Sequence, residues 1–74
     1  MEVQPQFGQL IRDLRKKRSL SQEKLAELSD LHVNHISFIE RGQRTPSLQV
    51  FIQLSKGLGQ KPSELMQLVE TKIK

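Results

Sequence analysis

The 74-residue chain allows one small domain with a modest core, and its lack of cysteine excludes disulfide bonds and thiol chemistry. No apolar run approaches the ~20 residues that span a bilayer, and the N-terminus lacks the basic-then-apolar pattern of a secretion signal. The 12 Lys and Arg residues outnumber the 8 Asp and Glu residues, and the net charge of +4 suits a polyanionic partner without proving one. We therefore expect a soluble cytoplasmic protein that does not contact a membrane.

The first predicted helix follows a short arm. Residues 1–6 are polar with one proline and predict a flexible N-terminal arm. Apolar side chains then recur at the i, i+3, i+4 and i+7 spacing of an amphipathic helix: Phe7, Leu10, Ile11 and Leu14. The helix ends in four cations, Arg15–Arg18, which complement the negative end of its dipole. Most of this run is expected to be solvated, with one or two members free to face phosphate.

Two short helices joined by a tight bend come next, and the rest of the chain is arranged around them. Ser21 is a good N-cap for the second helix, which reaches a bend at residues 28–31. The third helix is predicted from about His32 to Arg41, and Gly42 is typical of a helix C-terminus. Ile36 and Ile39 lie on one face of the third helix, and its other face carries residues for which the core has less use, which is the layout of a helix-turn-helix.

Two further helices complete the predicted fold. Apolar residues at helical spacing indicate a fourth helix: Leu48, Phe51, Ile52 and Leu58. Pro62 suits the first position of a fifth helix. No pattern of period two indicates a strand. The sequence therefore predicts an all-α fold, a compact five-helix domain over residues 7–70 with a frayed tail at 71–74.

Three segments, in this order and spacing, carry a family resemblance: IRDLRKKRSLSQEKLAEL, HISFIERGQRTPSL and LSKGLGQKPSELM. Together they resemble the phage-repressor and Cro-like, or XRE-like, helix-turn-helix family, whose fold is the lambda-repressor-like DNA-binding domain. The resemblance covers the chain from about Phe7 to Met66. It implies a compact five-helix domain that binds double-stranded operator DNA as a homodimer.

The resemblance also implies roles for individual residues. The third-helix positions that face base edges are Val33, Asn34, Ser37 and Phe38. The positions expected to contact the DNA backbone are Gln22, His32, His35, Arg41, Gln43 and Arg44. Those that form a buried ion pair in some family members are Arg15 and Glu40. Asp30 and Ser19 stand where glycine is common, and predict left-handed turns with a little strain.

Several of these residues have a structural alternative. Asn34 suits bidentate pairing with adenine, or is an exposed polar residue at a helix start. Val33 and Phe38 suit contact with thymine methyl groups, but Phe38 equally suits the core beside Ile39. Four apolar residues of the fifth helix form a dimer interface or close the small core: Leu65, Met66, Leu68 and Val69. Four apolar residues within the five positions 65–69 favour a contact with a partner.

The residues of catalytic and metal sites are not arranged together in this sequence. There is no phosphate-binding glycine loop, no recognisable Ser-His-Asp set and no convergent pair of carboxylates, so we predict that the chain is not an enzyme and needs no cofactor or small-molecule ligand. His32 and His35 lack the further ligands that a metal site requires. They suit a phosphate contact that strengthens at lower pH.

The sequence thus predicts a sequence-specific DNA-binding transcriptional regulator, acting as a homodimer on a near-palindromic operator. A domain of this length resembles the controller proteins of restriction–modification systems, which we rank ahead of small phage repressors and antitoxins. The competing hypothesis is an antitoxin or other protein-interaction module, in which the apolar fifth helix binds a partner protein and the groove-facing residues are idle. The cations at Arg41 and Arg44, with Gln22 in the phosphate position, favour DNA.

Overall fold

The computed structural model describes residues 2–73 and folds them into five α-helices, with no strand in this range. The helices are α1 (Val3–Lys17), α2 (Gln22–Ser29), α3 (Val33–Glu40), α4 (Leu48–Gly57) and α5 (Pro62–Ile73). The predicted all-α, five-helix architecture is confirmed. None of the helices within residues 2–73 is both long and apolar enough to cross a membrane.

Serine side chains begin two of the helices. Ser21 Oγ accepts a hydrogen bond from the backbone N–H of Lys24 at 3.0 Å. Ser47 Oγ accepts from the backbone N–H of Val50 at 3.1 Å in the same way. Each serine satisfies an N–H that has no acceptor within the helix. The expected N-cap at Ser21 is confirmed, and a second one starts α4 immediately after the polar loop.

The helices extend further than the sequence predicts at both ends. α1 begins at Val3, so most of the segment predicted as a flexible arm forms its first turn. Pro5 is tolerated there because the N–H groups of the first turn have no helical acceptor in any case. α5 continues to Ile73, so the segment predicted as a frayed tail is helical up to that residue. The outermost residues of the two segments, Met1 and Lys74, lie outside the described residues.

The core draws on every helix. α1 packs against α3 and α5, α2 packs against α3 and α4, and α4 packs against α5. The fully buried apolar side chains are Ile11, Leu25, Ile36, Ile39, Leu54, Leu58 and Leu65. α3 is therefore held by α1 on one side and α2 on the other, which leaves part of its surface free.

Two left-handed residues make the sharp turns on either side of α2. Ser19 has φ 58° and Asp30 has φ 57°. These are the positions where the family often has glycine, so both expected left-handed turns are confirmed. Asp30 caps the C-terminus of α2 and is the first of the three residues that link α2 to α3.

Candidate nucleic-acid interface

The four predicted base-reading residues of α3 differ in their exposure to solvent. Asn34 is exposed, and Ser37 and Phe38 are partly exposed. Val33 was expected on the same outward face, but its side chain is partly buried and packs against the core. Asn34 is thus the most exposed of the four predicted base-reading residues, whereas Val33, Ser37 and Phe38 are each partly buried and Val33 also contacts the hydrophobic interior.

The two histidines near the start of α3 differ in their surroundings. His32 is exposed and caps the helix, because its Nδ1 accepts from the backbone N–H of Asn34 at 3.3 Å. This leaves Nε2 as the ring nitrogen that is able to meet a phosphate. His35 is partly buried. Within residues 2–73, no group of three or more His, Cys, Asp or Glu side chains could hold a metal ion.

Phe38 lies at the end of α3, outside the buried core. Its ring has a guanidinium group over it from each of two arginines: Arg41 Cζ is 5.2 Å from the ring centroid and Arg44 Cζ is 5.4 Å away. Arg41 is also held by its Nε, which donates to the backbone oxygen of Ser37 at 3.3 Å. The sequence allows Phe38 either at the surface or in the core, and in the structure its side chain is partly exposed.

The loop after α3 begins with a Schellman turn. The N–H of Gly42 donates to Ile39 O at 3.0 Å, and the N–H of Gln43 donates to Phe38 O at 2.9 Å. Gly42 has φ 74°, the left-handed conformation that this turn requires. Both backbone N–H groups are thereby satisfied within the domain. What remains for a phosphate at this point is the exposed side chain of Gln43, followed by that of Arg44.

Arg15, Gln22 and Glu40 form one network across three helices. Arg15 Nε donates to Glu40 Oε2 at 2.7 Å, and Arg15 Nη2 donates to Glu40 Oε1 at 3.1 Å. The structure therefore contains the expected ion pair, with side chains only 11% and 3% exposed. Gln22 Nε2 also donates to Glu40 Oε1, at 3.0 Å. Arg15 Nη1 donates to the backbone oxygen of Leu20 at 2.8 Å, which fixes the guanidinium from a further side.

The four apolar residues of α5 do not share one environment. Leu65 is fully buried and Val69 is 7% exposed, so both belong to the core of the single domain. Leu68 is partly buried, and Met66 is 46% exposed. The i, i+4 spacing of Leu65 and Val69 sets the inward face of the helix. Of these four side chains, only those of Met66 and Leu68 retain exposed surface that another chain could contact.

Two helices joined by three residues, the second packed inward on one side and open on the other, have the geometry of a helix-turn-helix. A family model described as helix-turn-helix matches residues 11–65. The chain belongs to the helix-turn-helix family. The match runs from within α1 to within α5, so it includes the whole of α2, α3 and α4. The resemblance carried by the three sequence segments is confirmed.

Relatives of this helix-turn-helix domain are control proteins. It is 49% identical over 61 residues to the control protein C.BamHI of Bacillus amyloliquefaciens, a match that covers 81% of this chain and 75% of that protein. It is 44% identical to the restriction-modification controller protein C.AhdI of Aeromonas hydrophila, whose crystal structure matches with TM-score 0.78 over 82% of this chain and 92% of that one. A variant of C.Esp1396I bound to its highest-affinity operator site is 25% identical, with TM-score 0.90 over 99% of this chain and 96% of that one.

Sequence reasoning missed two contacts at this surface. It treated Gln22 separately from the Arg15–Glu40 pair, although the three side chains meet. It also treated Phe38 separately from Arg41, although residues three apart on a helix are neighbours and an aromatic–arginine pair at that spacing is a usable signal. The contact from Arg44 depends on the turn at Gly42 and has no comparable signal in the sequence.

Proposed function

We propose that this helix-turn-helix domain is a sequence-specific DNA-binding transcriptional regulator, not an enzyme, and that it is the controller of a restriction–modification system. The observation that carries the proposal is the exposed Asn34 on α3, followed directly after this helix by the exposed cations Arg41 and Arg44. An amide pairs bidentately with adenine in the major groove, whereas a guanidinium binds phosphate. α3 is thus the helix that enters the groove and reads base edges.

Contacts to the DNA backbone set the register of α3 in the groove. Gln22 lies at the start of α2, and the exposed side chains of Gln43 and Arg44 follow α3. Gln22 donates one N–H to Glu40, which leaves its second N–H for a phosphate. Because a cation that neutralises a phosphate releases counterions, affinity falls with salt by a log–log slope of about 0.9 for each phosphate neutralised, here by arginine and not by the two glutamines.

The homodimer is proposed to form through α4 and α5. These helices pack on each other and leave large apolar side chains exposed, Leu48, Ile52 and Met66. With Leu65 and Val69 already buried in the single domain, the predicted interface reduces to Met66 and Leu68 on α5, assisted by α4. Two-fold symmetry then requires a near-palindromic operator with half-sites about 34 Å apart.

The relatives support this proposal. C.BamHI is a control protein and C.AhdI is a restriction-modification controller protein. The C.Esp1396I variant is bound to an operator site. Carried over to this chain, these likenesses support a regulator that acts on operator DNA, and we propose that it does so in the cytoplasm.

The proposal is tested by selecting binding sites from a randomised duplex pool at near-physiological salt. We expect an enriched motif with two-fold symmetry, and a dimer in analytical ultracentrifugation. The Asn34→Ala protein in a parallel selection is the matched control, because it should lose preference at one position of each half-site. Salt-labile binding to any duplex without an enriched motif would contradict the proposal. It would favour an antitoxin-like module whose exposed apolar surface binds a partner protein.

A further inference from the structure

Phe38 is a large aromatic residue that the hydrophobic core does not use. It lies outside the buried cluster and remains partly exposed. The guanidinium carbons of Arg41 and Arg44 are 5.2 and 5.4 Å from its ring centroid. Both distances are below the ~6 Å at which the face of an aromatic ring attracts a cation. The Phe38 ring therefore contacts the two arginines and is not part of the core.

The charges of the two arginines are not balanced by carboxylates. Among residues 2–73, neither Arg41 nor Arg44 takes part in a salt bridge. Arg41 is tied to α3 through Ser37 O, but Arg44 makes no side-chain hydrogen bond to the residues described. The ring of Phe38 is consequently the group that the Arg44 side chain contacts, and the two arginines place positive charge at the end of α3.

We propose that Phe38 is a positioning residue for DNA-backbone binding, whose ring holds the guanidinium groups of Arg41 and Arg44 ready for phosphate. The inference rests on the proposed function and deepens it. A free arginine side chain loses rotamer freedom when it binds, and prior ordering on a ring lowers that loss. The planar guanidinium can stack on the ring and still direct N–H groups to an anion.

This role differs measurably from direct readout of a thymine methyl group by Phe38. A base contact adds affinity for one sequence and leaves the salt dependence unchanged. A positioning role adds affinity for every duplex, and its loss lowers the salt slope because phosphates are no longer neutralised. Leucine separates the two roles, because it keeps an apolar surface for a methyl group but has no aromatic face.

The experiment measures the affinity of Phe38→Leu and Phe38→Tyr for a non-operator duplex over a range of salt concentrations. Because both arginine side chains would then have to be ordered during binding, we expect Phe38→Leu to bind about 5-fold to 10-fold more weakly at low salt. Its log–log salt slope should fall by about one to two, since each phosphate contributes about 0.9. Phe38→Tyr keeps the aromatic face and should retain both the affinity and the slope of the original protein.

Four further proteins make the outcome decisive, because the first comparison needs the double-arginine variant with and without Phe38→Leu. In an Arg41→Ala/Arg44→Ala background, Phe38→Leu should have no further effect on non-operator binding. Arg44→Lys keeps the charge but lacks the planar stacking group, so it should also bind more weakly, and it tests the proposal even if Phe38→Leu fails to fold. Lys72→Ala removes an exposed charge from α5, which packs on α1 and α4, and should leave the slope unchanged.

The possible failures are distinguishable. If the original protein shows no salt-dependent binding to any duplex, the proposed function itself is wrong. If the original protein binds but folded Phe38→Leu keeps its non-operator affinity and salt slope, the positioning role is wrong. If Phe38→Leu loses affinity only for the selected operator, Phe38 is a base contact instead.

Discussion

The side-chain amide of Gln22 donates to Glu40 Oε1 at 3.0 Å, which joins the first residue of α2 to the last residue of α3. The same carboxylate accepts two hydrogen bonds from Arg15 on α1. An ionised carboxylate has enough lone pairs to accept all three. The expected phosphate-binding amide is therefore oriented by a buried ion pair, and the position of α3 and the direction of Gln22 depend on the same group.

Replacing Gln22 with glutamate should weaken DNA binding and destabilise the fold together. The new carboxylate would lie beside that of Glu40 and would also repel phosphate. Gln22→Met is the matched control of similar length, because it loses the phosphate contact and the hydrogen bond to the Glu40 carboxylate, worth about 1.5–3 kcal/mol, but adds no negative charge. Urea unfolding and binding to a non-operator duplex would measure both effects. Equal stability and affinity of the two variants would argue against this role of the amide.

Breaking the Arg15–Glu40 pair should come close to unfolding the domain. Both side chains are nearly buried, so Arg15→Met leaves a carboxylate without its cation and should cost about 3–5 kcal/mol in urea unfolding. A domain of this length has a total stability of only about 4–11 kcal/mol, at about 0.05–0.15 kcal/mol per residue. The double variant Arg15→Met/Glu40→Leu leaves no unpaired charge. It should be more stable than Arg15→Met, and a double variant that is less stable would contradict the argument.

The sequence predicts the five helices and the turns well, because these depend on local signals. Periodic apolar residues locate the inward faces of α1 and α3, and Ser21 marks the start of α2. Asp30 and Ser19 stand at glycine-like positions and do adopt left-handed conformations. The early start of α1 was missed because Pro5 resembles a loop residue, although the first turn of a helix accepts proline.

The candidate site is less predictable, because its contacts join residues far apart in the chain. Arg15 and Glu40 are 25 positions apart in the sequence, with no local signal of their contact, and here the family resemblance supplies what the pattern lacks. The apolar pattern of α5 likewise did not separate Leu65 and Val69, which close the core, from Met66, which stays exposed. That division depends on how α5 is rotated against α1 and α4.

Asn34→Ala should relax sequence preference without weakening binding to DNA in general. The residue is exposed on α3, and an amide that pairs bidentately with adenine discriminates against other bases by about 1–3 kcal/mol. Competition binding with the selected operator and single-base variants of it would measure the loss at one position per half-site. Affinity for a non-operator duplex serves as the internal control and should not change. An unchanged preference at every position would exclude Asn34 from base readout.

Lys24→Met should raise the pKa of Glu27 towards its ordinary value. Lys24 Nζ donates to Glu27 Oε1 at 2.7 Å, and this hydrogen bond, with the charge of the lysine, lowers the pKa of Glu27. A lowered carboxyl pKa stabilises the fold above the unfolded-state pKa, and that contribution disappears as the pH falls through the folded-state pKa. Because both side chains are exposed, unfolding should change little. NMR titration measures the pKa, and Lys56→Met should leave it unaltered.

Gly8→Ala should disturb the packing of α3 against α1. A Cβ at Gly8 would overlap the backbone oxygen of Ile39 and lie 2.7 Å from that of Glu40, so the helices must separate. Overpacking of this kind costs about 1–3 kcal/mol, which thermal or urea unfolding would detect. Gln9→Ala, at the adjacent exposed position, is the control and should be much closer to the original stability. Because the affected carbonyls belong to the end of α3, Gly8→Ala should also weaken operator binding while folded. If Gly8→Ala had the same unfolding stability and the same operator affinity as the original protein, the close approach of the two helices would not be what fixes α3.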